Sequence, residues 1–92
     1  MNVCVMGLGN IGLPVASHIS GFYTVKGYDI KDEVIINSLS KGVEASTTLQ
    51  HSDIYVVAVN TYFRNNAPDM SAVDCCCKKI SKLNPNALVC FE

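Results

Sequence analysis

No stretch of this sequence approaches the roughly 20 consecutive apolar residues of a membrane-spanning helix. The amino terminus runs into a short strand-like segment with no basic region or cleavage site before it, so no secretory leader is expected. Charge is scarce: Asp, Glu, Lys and Arg make up 16% of the residues, the net charge is −1, and the seven Lys and Arg are scattered. Without a basic cluster there is no electrostatic footprint for nucleic acid or an anionic membrane, and neither partner is expected. No CxxC pair exists among the five cysteines, three of which are consecutive at Cys75, Cys76 and Cys77, and neither His18 nor His51 forms a zinc-type pattern with them. Reduced, mostly buried thiols, no metal and a cytoplasmic setting follow. Linkers, repeats and low-complexity segments are missing too. At 92 residues the chain forms one domain, 1–92, which hides about 60–65% of the surface its unfolded form exposes. That is too little for a complete two-substrate enzyme.

What the sequence does have is apolar residues, 49% of the total, a balance suited to a sheet buried on both faces. Strands are predicted over 2–6, 24–28, 43–46, 54–59 and 87–91. Helices are predicted over 10–20, with Ile11, Val15 and Ile19 on one face, and over 31–40, with Val34, Ile35 and Leu39 facing inward and Gly42 as its stop. A third starts at Ser71, carries the stripe Val73, Cys76, Cys77, Ile80 and Leu83, and closes at Asn84-Pro85-Asn86. The span 60–69 lacks periodicity and reads as a loop. Alternation of this kind predicts an α/β fold with a mostly parallel sheet of about five strands and helices on both faces.

The string Gly7-Leu8-Gly9-Asn10-Ile11-Gly12 follows the first strand and opens the first helix. An acidic residue, Asp29, ends the next strand 22 positions beyond Gly7. In that context the glycines read as the phosphate turn of a Rossmann-type, doubly wound fold. Gly7 permits the tight turn, Gly9 clears room for a pyrophosphate, and Gly12 lets helix and strand pack closely. The helix N-terminus offers unpaired N–H groups and partial positive charge to the phosphates. Asp29 has two readings: an acceptor for the adenosine ribose hydroxyls that repels a 2′-phosphate and so favours NAD over NADP, or a cap for the next helix.

Residues 7–16, Gly-Leu-Gly-Asn-Ile-Gly-Leu-Pro-Val-Ala, resemble the opening motif of the UDP-glucose/GDP-mannose dehydrogenase family. Further matches are Gly27-Tyr28-Asp29-Ile30, Ser52-Asp53, Val59-Asn60-Thr61, Asp69-Met70-Ser71 with Val73, and the segment from Ala87 to Glu92. The resemblance implies NAD-dependent oxidation of a nucleotide sugar's primary alcohol to a carboxylate by two hydride transfers, with catalytic cysteine and lysine on domains this chain lacks. It implies NAD contacts at Gly7, Leu8, Gly9, Asn10, Ile11, Gly12, Asp29 and Ile30, with Thr61 near the nicotinamide ribose and Glu92 toward the nicotinamide. A nucleotide sugar would bind only with the missing domains supplied, and none of the five cysteines matches the family's nucleophile. The chain departs from the pattern at Tyr62, where the family carries proline, and before Ser52, where a helical segment is lacking. A stand-alone or degenerate dinucleotide-binding module is the alternative. An exposed apolar edge at the last strand would offer a route to a homo-oligomer.

Overall fold

The structure is a computed structural model that describes residues 1–59, 62–64, 67–69 and 71–91. In chain order the elements are β1 (Asn2–Met6), α1 (Gly12–Ile19), β2 (Thr24–Tyr28), α2 (Asp32–Ser40), β3 (Ala45–Ser46), β4 (Ile54–Val57), β5 (Tyr62–Arg64), β6 (Ala67–Asp69), α3 (Ser71–Leu83) and β7 (Leu88–Phe91). Five strands form one parallel sheet in the order β3-β2-β1-β4-β7.

Strand β1 shows why its sequence is continuously apolar. Side chains alternate across a strand, so Val3 and Val5 enter a cluster with Leu13, Ala16, Val25 and Val56, while Cys4 and Met6 enter another with Tyr28, Tyr55, Cys76 and Ile80. A strand covered on both sides leaves no solvated face for polar residues. Helices α1 and α2 supply the first cover, through Val15, Ile19, Val34 and Ile35, and α3 supplies the second through Cys76 and Ile80. The sheet is thus the expected Rossmann-type one. Its order reverses direction at β1, from which the chain moves to β2 on one side and later to β4 on the other. In such sheets the crevice beyond the carboxyl ends of those strands receives ligands.

Several expectations need correction. Helix α1 begins at Gly12, not at position 10, and its buried residues are Gly12, Leu13 and Ala16, whereas Ile11 is exposed. In α2 the inward position near the end belongs to Ser38, fully buried, and Leu39 is exposed. The reason is local. The Ser38 hydroxyl donates to the Val34 carbonyl at 2.9 Å, and the Ser38 carbonyl accepts the Val43 N–H at 3.0 Å as the chain turns back. Within 60–69, β5 and β6 pair antiparallel, with Phe63 opposite Pro68. Cys75 and Cys90 are exposed, so burial of the thiols holds for Cys4 and Cys76 and half-burial for Cys77.

Where the third strand returns to the fourth, α/β folds ordinarily interpose a helix; here 47–53 crosses as irregular chain. Fully buried Tyr55 ties it down: its hydroxyl accepts the Ser52 N–H and donates to the Gln50 carbonyl, each at 2.9 Å. Tyr55→Phe strands both partners, so it should cost about 1–3 kcal/mol, measurable by urea unfolding.

Burial pushes the Cys4 thiol up to about 12, with the Cys76 sulfur adding to the rise, and burial raises Cys76 as well. Cys4 stays protonated in the folded chain at pH values where the unfolded chain has ionised it. The unfolded state then binds one proton fewer at this site, so stability should fall as pH climbs from about 9 toward 12, by up to about 1.4 kcal/mol per pH unit. Urea midpoints across that range check the slope.

Candidate dinucleotide site

The site begins where β1 stops. Gly7 has φ of 92°, its N–H donates to the Tyr28 carbonyl at 2.8 Å, and a Cβ on it would lie 2.8 Å from the Ala58 carbonyl oxygen. Only glycine turns the chain here without strain. Leu8 then dives into the core, where its side chain occupies the space that Gly27 leaves open: a Cβ at Gly27 would lie 2.5 Å from Leu8 Cδ1. Leu8 is therefore a packing residue whose backbone alone faces the turn.

Gly9 and Asn10 are exposed, and a Cβ on Gly9 would meet nothing within 4 Å. At Gly12 a Cβ would overlap the Gly7 carbonyl oxygen and stand 2.8 Å from its carbon, which fixes how closely α1 crosses β1. The first backbone bonds of the turn run from Leu13 N–H to the Gly9 carbonyl and from Val15 N–H to the Ile11 carbonyl. The N–H groups of Gly9, Asn10, Ile11 and Gly12 donate to no acceptor among the described residues, and Ile11, at the N-cap, supplies no side-chain cap. Four open donors at the positive end of a helix, over space free of any side chain, have the geometry of an anion cradle.

Asp29 is half-buried at the end of β2 and does two things in the chain. Its Oδ2 accepts the Leu8 N–H at 3.0 Å, and its Oδ1 accepts the Lys31 N–H at 3.1 Å. The carboxylate therefore braces the glycine turn and the chain just ahead of α2, but it is not that helix's cap: Lys31 occupies the N-cap position and no side chain caps the helix. Each carboxylate oxygen has a further lone pair, which leaves acceptor capacity toward the crevice. Ile30 is exposed beside it. Thr61 and Glu92 lie outside the described residues.

Sequence reasoning missed the far wall. A cleft of about 120 Å³ runs between Asp29 and Ile30 on one side and α3 on the other, with Gly7 and Val59 at its floor. The α3 residues on it are Ala72, Cys75, Cys76 and Lys79, the i, i+3, i+4, i+7 face of a helix. That spacing was there to be read. The Lys79 ammonium donates to Tyr28 Oη at 2.7 Å and lies 5.3 Å from the ring centroid; the Tyr28 hydrogen bond is the main cause that raises its pKa. His18 sits against Phe22 with centroids 6.0 Å apart, and His51 is exposed; neither faces the glycine turn. Among the described residues no three His, Cys, Asp or Glu gather as a metal-binding group, and no helix is long and apolar enough to cross a membrane. Native alkylation followed by peptide mass mapping should modify Cys75 and Cys90 readily and leave Cys4 and Cys76 untouched until denaturant is added.

A glycine turn, an open helix start and an acid ending the second strand define a dinucleotide-binding type of Rossmann fold. No protein-family model and no curated protein matches the sequence. Solved structures do. The chain is similar over its whole length to UDP-D-ManNAc dehydrogenase from Pyrococcus horikoshii, at 27% identity and a TM-score of 0.82. It is similar to the same extent to UDP-N-acetyl-mannosamine dehydrogenase from Staphylococcus aureus, at 26% and 0.81. In each case it spans 28% of the other chain's length. A 3-hydroxyacyl-CoA dehydrogenase from Archaeoglobus fulgidus shares the fold, at 23% identity and 0.81, over 99% of this chain and 33% of its own. These structures are all dehydrogenases, and one that acts on a different substrate superposes as well as the sugar enzymes do.

Proposed function

We propose that this chain is the NAD-binding part of a nucleotide-sugar dehydrogenase of the UDP-glucose/GDP-mannose type, which oxidises a sugar's primary alcohol to a carboxylate. The observation that carries the binding role is the row of four open N–H groups at Gly9–Gly12, set beside an anchored acid at Asp29. The whole-length likeness to two UDP-sugar dehydrogenases supports the substrate class. The pyrophosphate lies on the turn from Gly7 to Gly12, with the backbone of Leu8 and the N–H groups of Gly9, Asn10, Ile11 and Gly12 around it. Asp29 would accept the adenosine ribose hydroxyls and Ile30 would flank the base, and the family resemblance assigns Thr61, outside the described residues, to the nicotinamide ribose. When bound, NAD supplies the hydride acceptor. This chain's residues bind and orient; the groups that would attack or deprotonate the sugar belong to other domains, and the nucleotide sugar binds only with those present. Five free thiols support a cytoplasmic setting.

Calorimetric titration tests the ribose assignment. NAD should bind at least tenfold more tightly than NADP, because the Asp29 carboxylate repels a 2′-phosphate, and Asp29→Asn should narrow that gap. Equal affinities in the parent chain would remove Asp29 from this role. Absence of binding by any dinucleotide would leave the degenerate module as the reading.

A further inference from the structure

We propose that Lys79, held in place by Tyr28, selects the base of the bound nucleotide by demanding hydrogen-bond acceptors on the edge that enters the cleft, so that 6-oxo purines are taken at least as well as adenine. The inference rests on the dinucleotide reading above. With the pyrophosphate on the glycine turn and the ribose at Asp29, the next group along the ligand is the base, and the cleft that Asp29 and Gly7 share with α3 is where it arrives.

That cleft is apolar along Ile30, Val59 and Ala72, as suits the faces of a flat ring. The Asp29 carboxylate on this cleft already accepts two backbone N–H groups, and the other charged group there is all donor. An ammonium carries three N–H donors and no acceptor; one is used on Tyr28 Oη at 2.7 Å. The phenol oxygen, having accepted that bond, offers its own hydrogen. No carboxylate or carbonyl partner of Lys79 occurs among the described residues. The Tyr28 hydrogen bond favours the charged form of Lys79, so the end of the cleft stays cationic. A group of donors at the end of an apolar slot is satisfied by a ligand edge that carries acceptors. Guanine-type purines present two there, O6 and N7, whereas adenine pairs N7 with an amino donor. Tyr28 and Lys79 lie 51 positions apart in sequence, and the pairing places the cation where an unsupported lysine would swing into water.

The test is a set of titrations with NAD and with nicotinamide hypoxanthine dinucleotide on the parent chain, Lys79→Met and Lys79→Arg. The parent should bind the hypoxanthine dinucleotide as tightly as NAD or more so. Lys79→Met should shift the ratio of affinities at least fivefold toward NAD, and Lys79→Arg, which keeps the donors, should hold the parent ratio. A ratio that Lys79→Met leaves unchanged, in a protein that still binds NAD, overturns the proposal and leaves the dinucleotide reading standing. Failure of the parent to bind either compound overturns both.

A second arm locates the base independently. Saturating ADP-ribose should protect exposed Cys75, in the cleft, from alkylation, while exposed Cys90, on β7, keeps its rate. Stabilisation by ADP-ribose without protection of Cys75 overturns the assignment of the cleft.

Discussion

Replacing Gly12 by alanine is expected to remove a large part of the chain's stability. The added methyl would overlap the Gly7 carbonyl oxygen and sit 2.8 Å from its carbon, with the Ala58 side chain 3.3 Å away. Backbone cannot move aside as a flexible side chain can, and Gly7 is itself fixed by its bond to Tyr28. Relief therefore requires α1 to lift from β1, which exposes Leu13 and Ala16 from the core. A cost of about 4–5 kcal/mol belongs to this kind of steric failure, against about 5–15 kcal/mol of total stability for a typical domain. Circular dichroism with a urea titration gives the answer. A midpoint within the error of the parent would show that the helix does not cross the strand this closely.

The opposite result is expected three residues earlier. Gly9 is exposed, its Cβ position is empty for 4 Å around, and its φ is not in the left-handed region. Gly9→Val should therefore leave stability within about 0.5 kcal/mol of the parent, as surface substitutions do. It should nonetheless abolish nucleotide binding, because the new side chain stands over the donors at Asn10, Ile11 and Gly12. These results would distinguish two glycines of one motif, Gly12 by its role in packing and Gly9 by its role at the proposed binding turn. A purely structural turn makes no such distinction.

The contrast indicates how much of this molecule was legible in its residues. The run from β1 through α1 to Asp29 was readable because its signals are local: a buried strand without polar breaks, a glycine string, and an acid at the following strand's end. The parallel five-stranded sheet followed from the alternation of elements. The antiparallel β5–β6 pair was hidden by Pro68, which lowers strand propensity, and by the short length of each strand. Spacing and apolarity point to Leu39 as the inward residue, yet the tight return to Val43 buries Ser38 instead. Lys79 shows the remaining limit. Its face of α3 has helical spacing, but its partner Tyr28 is distant in sequence, and only the fold brings the two together.

Exposed Leu88 and Phe91 lie on the edge strand β7, which β4 separates from β1 and its glycine turn. Binding at the turn can thus be read without reference to what covers that edge.

The measurement that bears most directly on the central claim is thermal unfolding of the reduced chain and of Gly9→Val, each with and without NAD at 100 times its dissociation constant for the parent. The parent should gain about 2.7 kcal/mol, a rise in Tm of roughly 10 °C or more for a domain of this size, and Gly9→Val should show the parent's Tm without ligand and no rise with it. A parent chain that NAD leaves unmoved, or a Gly9→Val chain stabilised as much as the parent, would contradict the assignment of the glycine turn to a dinucleotide.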